Sequence, residues 1–410
     1  MKKISTIILL CFCLYSMNGQ NNDIVIGKID SLNSNILNEQ RKIWVYTPED
    51  NSDGIFGKKN YPVVYLLDGE AHFYSVVGMI RQLSAANGNR ILPKMIVVGI
   101  PNTNRIRDLT PTKGIAWPGM MSTSWIEDTG GGKNFMSFIE KELIPYVNSN
   151  YPTQPYKMLI GHSFGGLTVM NTLVHQPNLF NSYVSIDPSM WWSEGKLLNE
   201  IKQITFDEKY RDKTLFLGIA NTMSEGMDIS NVQKDTTRQS ERIRYILEIN
   251  TILNKETQKN ISFKGKYYGE DDHDSVPLIA EYDAFRFLFD FYRFKTEKQD
   301  FLDPESDLFP RILNHYKKLS KGFNMEMKPD QEYINKLGYL FIRLKQFKRS
   351  EEFFKLNVTN YPDSFNAYTS LGDFYVANGE KEKAVENYKK SIFLNKDSSS
   401  KEKLIALEKE

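Results

Sequence analysis

The chain has 410 residues, 40% apolar and 13% aromatic, enough to bury a catalytic-sized core and a smaller second unit, which excludes a disordered or fibrous protein. Its 52 lysines and arginines nearly cancel its 51 aspartates and glutamates, so no global field gathers nucleic acid or holds an anionic membrane surface, and nucleic acid is not an expected partner. Both cysteines, Cys11 and Cys13, fall within the first 20 residues, leaving no later thiol for a disulfide, a nucleophile or a metal site.

Residues 1–20 place Lys2-Lys3 before an apolar run from Ile4 to Tyr15 and then the small, polar stretch Ser16-Met17-Asn18-Gly19-Gln20, the layout of a signal peptide. About 12 apolar residues cannot cross a ~30 Å hydrocarbon layer as a helix, so cleavage and export to a periplasmic or secreted location are expected rather than a membrane anchor. Lipid attachment at Cys11 or Cys13 is the weaker alternative, because neither cysteine follows a small residue. No later segment reads as a membrane span.

Residues 22–294 alternate short β-rich runs with helical patterns, which predicts an α/β domain with a mostly parallel central sheet flanked by helices. Strands are expected over Arg41–Tyr46, Pro62–Leu67, Met95–Ile100, Lys157–Ile160, Ser182–Ile186, Thr214–Ile219 and Ile261–Tyr268. Helices are expected over Phe135–Asn148, Leu167–Val174, Arg238–Leu253 and Val276–Phe294, where apolar residues recur every three or four positions. Pro111–Lys133, with Trp117-Pro118-Gly119 and Gly130-Gly131-Gly132, has no period and reads as a long loop. Residues 295–329 form a polar linker with some helix. In residues 330–410, Leu337-Gly338 recurs as Leu371-Gly372, Phe341 as Tyr375, Ser350 as Ala384 and Phe354 as Tyr388, all 34 residues apart. That is the tetratricopeptide period, so a small all-α domain of paired helices is expected, packed on the first domain or offered to a protein partner or a second copy.

The chemistry centres on Gly161-His162-Ser163-Phe164-Gly165, between a strand and a helix. A serine hydroxyl needs a base, an acid that orients the base, and donors for an oxyanion, and a sharp strand-to-helix turn with flanking glycines is how such a serine is presented. G-x-S-x-G arises by chance in a chain of this length roughly one time in seven, so the flanking elements carry the inference. Of the five histidines, His72 and His162 precede the serine, His175 follows on the next helix and His315 lies in the linker. His273, in a loop late in the domain, is the candidate base; His162 packs the turn instead, its side chain pointing away from that of Ser163. The acid is sought after the strand Thr214–Ile219, where Glu225 is favoured over Asp228. The oxyanion donors are the amides of Phe164 and of Glu70, the latter in Asp68-Gly69-Glu70. The chemistry requires no cofactor and no metal.

Several stretches extend beyond this turn. Tyr65-Leu66-Leu67-Asp68-Gly69, Val98-Gly99-Ile100-Pro101-Asn102 with Arg105-Ile106-Arg107-Asp108-Leu109-Thr110-Pro111, and Asp272-His273-Asp274-Ser275-Val276-Pro277 together resemble the putative-esterase family of α/β-hydrolases, which includes esterase D, ferric-siderophore esterases, feruloyl esterases and mycobacterial mycolyltransferases. The resemblance spans about residues 41–294. It implies an α/β-hydrolase fold and a serine carboxylic-ester hydrolase acting on a siderophore ester or a feruloyl or acetyl ester of a glycan. The alternatives are an acyltransferase on the same scaffold, or a non-catalytic binding protein using its repeats. The resemblance also implies oxyanion amides at Glu70 and Phe164. Arg105 and Arg107 are candidates for gripping a substrate anion or for structural ion pairs, and Trp191, with Trp192, for walling a pocket or filling core.

Overall fold

The computed structural model describes residues 23–49, 59–115, 123–256 and 260–409. The candidate signal peptide and Trp117-Pro118-Gly119 lie outside the described residues. Eight strands form one sheet: β1 (Lys28–Ser34), β2 (Glu39–Tyr46), β3 (Tyr61–Leu67), β4 (Ile96–Ile100), β5 (Thr153–His162), β6 (Ser182–Ile186), β7 (Lys213–Ala220) and β8 (Ile261–Tyr268). Their spatial order is β1-β2-β4-β3-β5-β6-β7-β8; β1–β2 and β2–β4 pair antiparallel and the remaining pairs are parallel.

Strand alternation explains why the sheet is covered on both faces. Val63, Tyr65 and Leu67 of β3 and Leu215, Leu217 and Ile219 of β7 join one core, with the helices Phe164–His175, Trp192–Ile201 and Glu241–Glu256. Val64 and Leu66 of β3 and Phe216 and Ala220 of β7 join the other, with the helices Gly69–Ser84 and Val276–Leu288. Strand β1, KIDSLNS, is a largely exposed antiparallel edge outside the expected strands, and the helices Gly69–Ser84 and Trp192–Ile201 likewise lie outside the expected helices.

The expected loop 111–133 contains a short helix, Thr123–Glu127, and its glycines begin the helix Gly132–Phe138. The glycine run is pinned to the preceding turn: Gly131 N donates to Arg107 O at 2.9 Å and Gly132 N to Thr110 O at 3.0 Å. A Cβ on Gly131 would stand 2.9 Å from that same Arg107 oxygen, so bulk is excluded there.

The linker is largely a 16-residue helix, Leu308–Phe323, whose two ends serve different cores. Leu319 and Phe323 pack into the core beneath the sheet, while Leu308 and Ile312 pack with Ile334, Leu337, Phe341 and Phe353 of the helical region. That region holds the pairs Gln331–Arg343 with Phe347–Asn360 and Phe365–Ala377 with Lys381–Leu394, then Ser400–Lys409; the second pair starts 34 residues after the first. Close approach explains the repeated glycines: a Cβ on Gly338 or Gly372 would lie 2.5 Å from the ring of Phe354 or Tyr388.

Candidate active site

The carboxyl ends of the parallel strands, where α/β sheets usually bind ligands, hold the candidate residues Ser163 and His273. Ser163 is the single residue between β5 and the helix Phe164–His175, with φ 59° and ψ −115°. For a non-glycine residue such a backbone costs about 1–3 kcal/mol and persists only when its surroundings hold it. They do: Ser163 N donates to Ile186 O at 3.0 Å, and Ser163 O accepts from Leu167 N at 2.9 Å and Ser189 N at 3.0 Å. The turn is so tight that a Cβ on Gly161 would stand 2.4 Å from the carbonyl carbon of Gly165.

His273 follows β8 in a loop that Asp272 holds, accepting from the amides of Asp274 at 3.0 Å and Ser275 at 2.9 Å. Its Nε2 lies 3.1 Å from Ser163 Oγ and its Nδ1 lies 2.6 Å from Oδ2 of Asp187. Asp187 is the residue directly after β6, 2% exposed and turned at φ 37°; its Oδ1 accepts from Ala220 N at 3.1 Å.

The carboxylate facing the histidine is therefore Asp187, not Glu225 or Asp228. Glu225 is exposed, and the Asp228 carboxylate accepts from Ser230 and Asn231 in its own exposed turn, which holds its proton affinity below the usual carboxylate range. In the sequence Asp187 is an aspartate directly after the strand beside the serine's own and before Pro188, a position shared in kind by other strand ends.

Phe164 and Glu70 occupy the first turns of the helices Phe164–His175 and Gly69–Ser84, where amides have no acceptor within the helix. The Glu70 carboxylate is held aside, accepting from Asn102 Nδ2 at 2.7 Å. Arg105 donates to both oxygens of Asp68, at 2.6 and 3.0 Å, and lies over the Phe164 ring at 5.6 Å. Arg107 donates to Glu39 and Asp108, and the latter also accepts from buried Arg41 at 2.6 Å. Both arginines are thus ion-paired, and Arg105 is the one that borders Phe164. Half-buried Trp191 stands 5.9 Å from the Phe164 ring. Trp192 is buried and, with Lys133, Asn171, His175 and Lys196, lines a cavity of about 470 Å³ whose wall contains neither Ser163 nor His273.

His162 packs behind His273, its ring 4.5 Å from that of His273 and 5.9 Å from that of His72. Burial, aided by these two neighbouring imidazoles, lowers its proton affinity to about 3, so it stays neutral. His72 Nδ1 in turn lies 3.3 Å from Glu281, whose burial pushes its carboxyl up to about 8. His175 contacts Glu200 at the surface and His315 stacks on Phe294. Among the described residues no cluster of His, Cys, Asp or Glu has a metal-holding arrangement, and no helix is long and apolar enough to cross a membrane.

The fold and the family it matches define a carboxylic ester hydrolase. Residues 34–289 match the family described as Putative esterase, and the chain belongs to that family; residues 365–398 match a tetratricopeptide repeat. The chain is 26% identical over 242 residues to the siderophore triacetylfusarinine C esterase of Aspergillus fumigatus, covering 54% of this chain and 78% of that one. It is 31% identical over 149 residues to the ferri-bacillibactin esterase BesA of Bacillus subtilis, covering 34% and 52% respectively. Among solved structures, an IroE-like serine hydrolase from Shewanella oneidensis superposes with a TM-score of 0.63 at 32% identity, covering 81% of this chain and 98% of its own.

Proposed function

We propose that the protein is an exported serine esterase that cleaves a siderophore ester through Ser163, His273 and Asp187. The observation that carries this reading is the unbroken contact chain from Ser163 Oγ through His273 to Asp187. In the reaction, Ser163 Oγ attacks the ester carbonyl while its proton passes to His273 Nε2, and Asp187 stabilises the resulting imidazolium. The amides of Phe164 and Glu70 receive the oxyanion. Collapse breaks the carbonyl–alcohol bond, the alcohol leaves with the proton from Nε2, and a water activated by the same nitrogen releases the acid from Ser163. Support for the siderophore class comes from the relatives' substrates, and support for export from the layout of residues 1–20.

The test is hydrolysis of short p-nitrophenyl esters and of a panel of iron-siderophores and feruloylated or acetylated glycans. Ser163→Ala is expected to lower kcat by about 10⁴-fold or more. Comparable turnover by that variant refutes the mechanism, and turnover confined to glycan esters refutes the substrate class. Amino-terminal sequencing of the exported protein checks cleavage after the leader.

A further inference from the structure

Arg242 is a cation at this site that the hydrolysis outlined above does not use. It stands at the second position of the helix Glu241–Glu256, half-buried, with Nη2 3.4 Å from Nε2 of His273. Among the described residues no carboxylate forms an ion pair with it. Its neighbours are engaged elsewhere: Glu241 accepts from the Tyr245 hydroxyl at 2.9 Å, and Arg244 donates to Ser240 Oγ and Thr237 O, both at 2.8 Å. Arg105, the other arginine of the site, is neutralised by Asp68.

The placement is unfavourable on local grounds. A cation in the first turn of a helix sits at the positive end of the aligned peptide dipoles, the end where anions are stabilised. It also stands beside the nitrogen that must become positive when Ser163 gives up its proton, and two like charges a few ångströms apart repel. Both costs disappear if a substrate brings a negative group to the same spot. The geometry fixes which half of the substrate that is. Nε2 hands its proton to the departing alcohol oxygen, so the alcohol half lies over Nε2 and therefore against the guanidinium, whereas the acyl half is held at Ser163.

We propose that Arg242 forms an anion subsite for the alcohol half of the substrate, selecting esters whose leaving alcohol carries a carboxylate or another acidic oxygen group near the scissile bond. The subsite rests on the serine-esterase reading above. On binding, the guanidinium turns from Nε2 to the substrate anion, which frees the lone pair of Nε2 for the Ser163 proton and screens the imidazolium that follows. A guanidinium suits this because its fork can bind two oxygens while remaining charged.

The test uses the full-length protein and a matched pair of esters, 3-(butanoyloxy)propanoate and 3-(butanoyloxy)propanamide, with acid release followed by pH-stat. The wild type is expected to favour the carboxylate in kcat/KM by about tenfold at low ionic strength, and the preference is expected to shrink as salt is raised. In Arg242→Met the ratio should fall toward one, and Arg242→Lys should keep part of it. Fluorophosphonate labelling of Ser163 checks that each variant retains a formed site, and the wild-type ratio stands as a test even where the Met variant fails to fold. Equal turnover of the two esters by the wild type, or an unchanged ratio in Arg242→Met, overturns the subsite while leaving the esterase reading intact. Failure of the wild type to hydrolyse either ester, nitrophenyl esters included, removes the esterase reading and the subsite together.

Discussion

Replacing Asp187 by Asn separates the acid that the geometry selects from the two that the sequence suggests. The Asp187 carboxylate is 2% exposed and 2.6 Å from His273 Nδ1, so it faces the imidazolium with little water between. At an effective dielectric of about 20, opposite unit charges ~4 Å apart interact by about 4 kcal/mol, which corresponds to roughly 10³-fold in rate. A second effect adds to this. An asparagine that turns its amide nitrogen toward Nδ1 donates where the carboxylate accepts, forcing the imidazole proton onto Nε2, which then cannot take the Ser163 proton. The expected loss in kcat/KM is therefore about 10³- to 10⁴-fold. The side-chain oxygen of the introduced asparagine can still accept from Ala220 N, a contact of 3.1 Å in the wild type, so the fold should survive with little change in Tm. The assay is kcat/KM on p-nitrophenyl butyrate, run beside Glu225→Gln and Asp228→Asn, each expected within about twofold of wild type because both carboxylates are exposed and Asp228 is bonded within its own turn. Retention of more than about a tenth of the activity by Asp187→Asn, or an equal loss in either surface variant, refutes the assignment.

Glu281 gives a pH signature in stability. Its carboxyl, pushed from 4.5 to about 8 by burial, keeps its proton in the folded chain between those values and loses it on unfolding. The unfolded state then binds fewer protons, so stability falls as pH rises, by roughly 1.4 kcal/mol per pH unit from this group. Glu281→Gln should match wild type near pH 5 and exceed it in Tm at pH 8; parallel Tm–pH curves would remove the argument. Ending the chain at residue 329 uncovers Leu308 and Ile312, both at most 1% exposed in the full chain. At ~1.5–3 kcal/mol for each large apolar side chain returned to water, a loss of roughly 3–6 kcal/mol is expected. Size-exclusion chromatography and thermal unfolding should show aggregation or a lowered Tm, and an unaltered, monodisperse product would show that the helical region does not support the hydrolase domain.

The parts of this fold legible in sequence are those whose environment is uniform. β3 and β4 are buried on both faces and read as unbroken apolar runs, and β6, SYVSI, is equally buried with two serines among its β-formers, so their positions and the parallel sheet follow from composition. β1 carries no such signal, because an exposed edge strand selects polar residues that resemble a loop. The helix Gly69–Ser84 does carry one, with Phe73, Val76, Val77, Ile80 and Leu83 at helical spacing. Ser163 and His273, whose side chains the fold brings together, are picked out in sequence because chain order restricts them. The acid is not restricted in that way: an acidic residue can reach the histidine loop from more than one strand end, and only the turn at Asp187 and the depth of its carboxylate select it. Arg242 is less legible still, since its meaning depends on the rotational register of one helix against the loop after β8.

Among the turns at the active edge of the sheet, the one at Ser163 bears most on function. Positive φ also occurs elsewhere, at Asn38, Asn87 and Asn324, where asparagine tolerates the left-handed region at little cost, and at Ser193, Glu194, Asp212 and Lys345. At the site, Asp68, Ser163 and Asp187 end β3, β5 and β6 with φ of 51°, 59° and 37°. Ser163, with ψ −115°, lies outside the left-handed helical well altogether, so its strain has no local relief and must be met by the bonds that Ile186, Leu167 and Ser189 make to its backbone. Those same bonds tie the nucleophile to the segment running from β6 through Asp187 to Ser189. The strained turn and the buried carboxylate thus share one bonded segment, which Asp187 also ties to Gly218 and Ala220 of β7, and His273 reaches both from the loop after β8. Placing the mobile proton on that residue, and Arg242 against it, concentrates both the chemistry and its sensitivity to substrate charge at a single side chain.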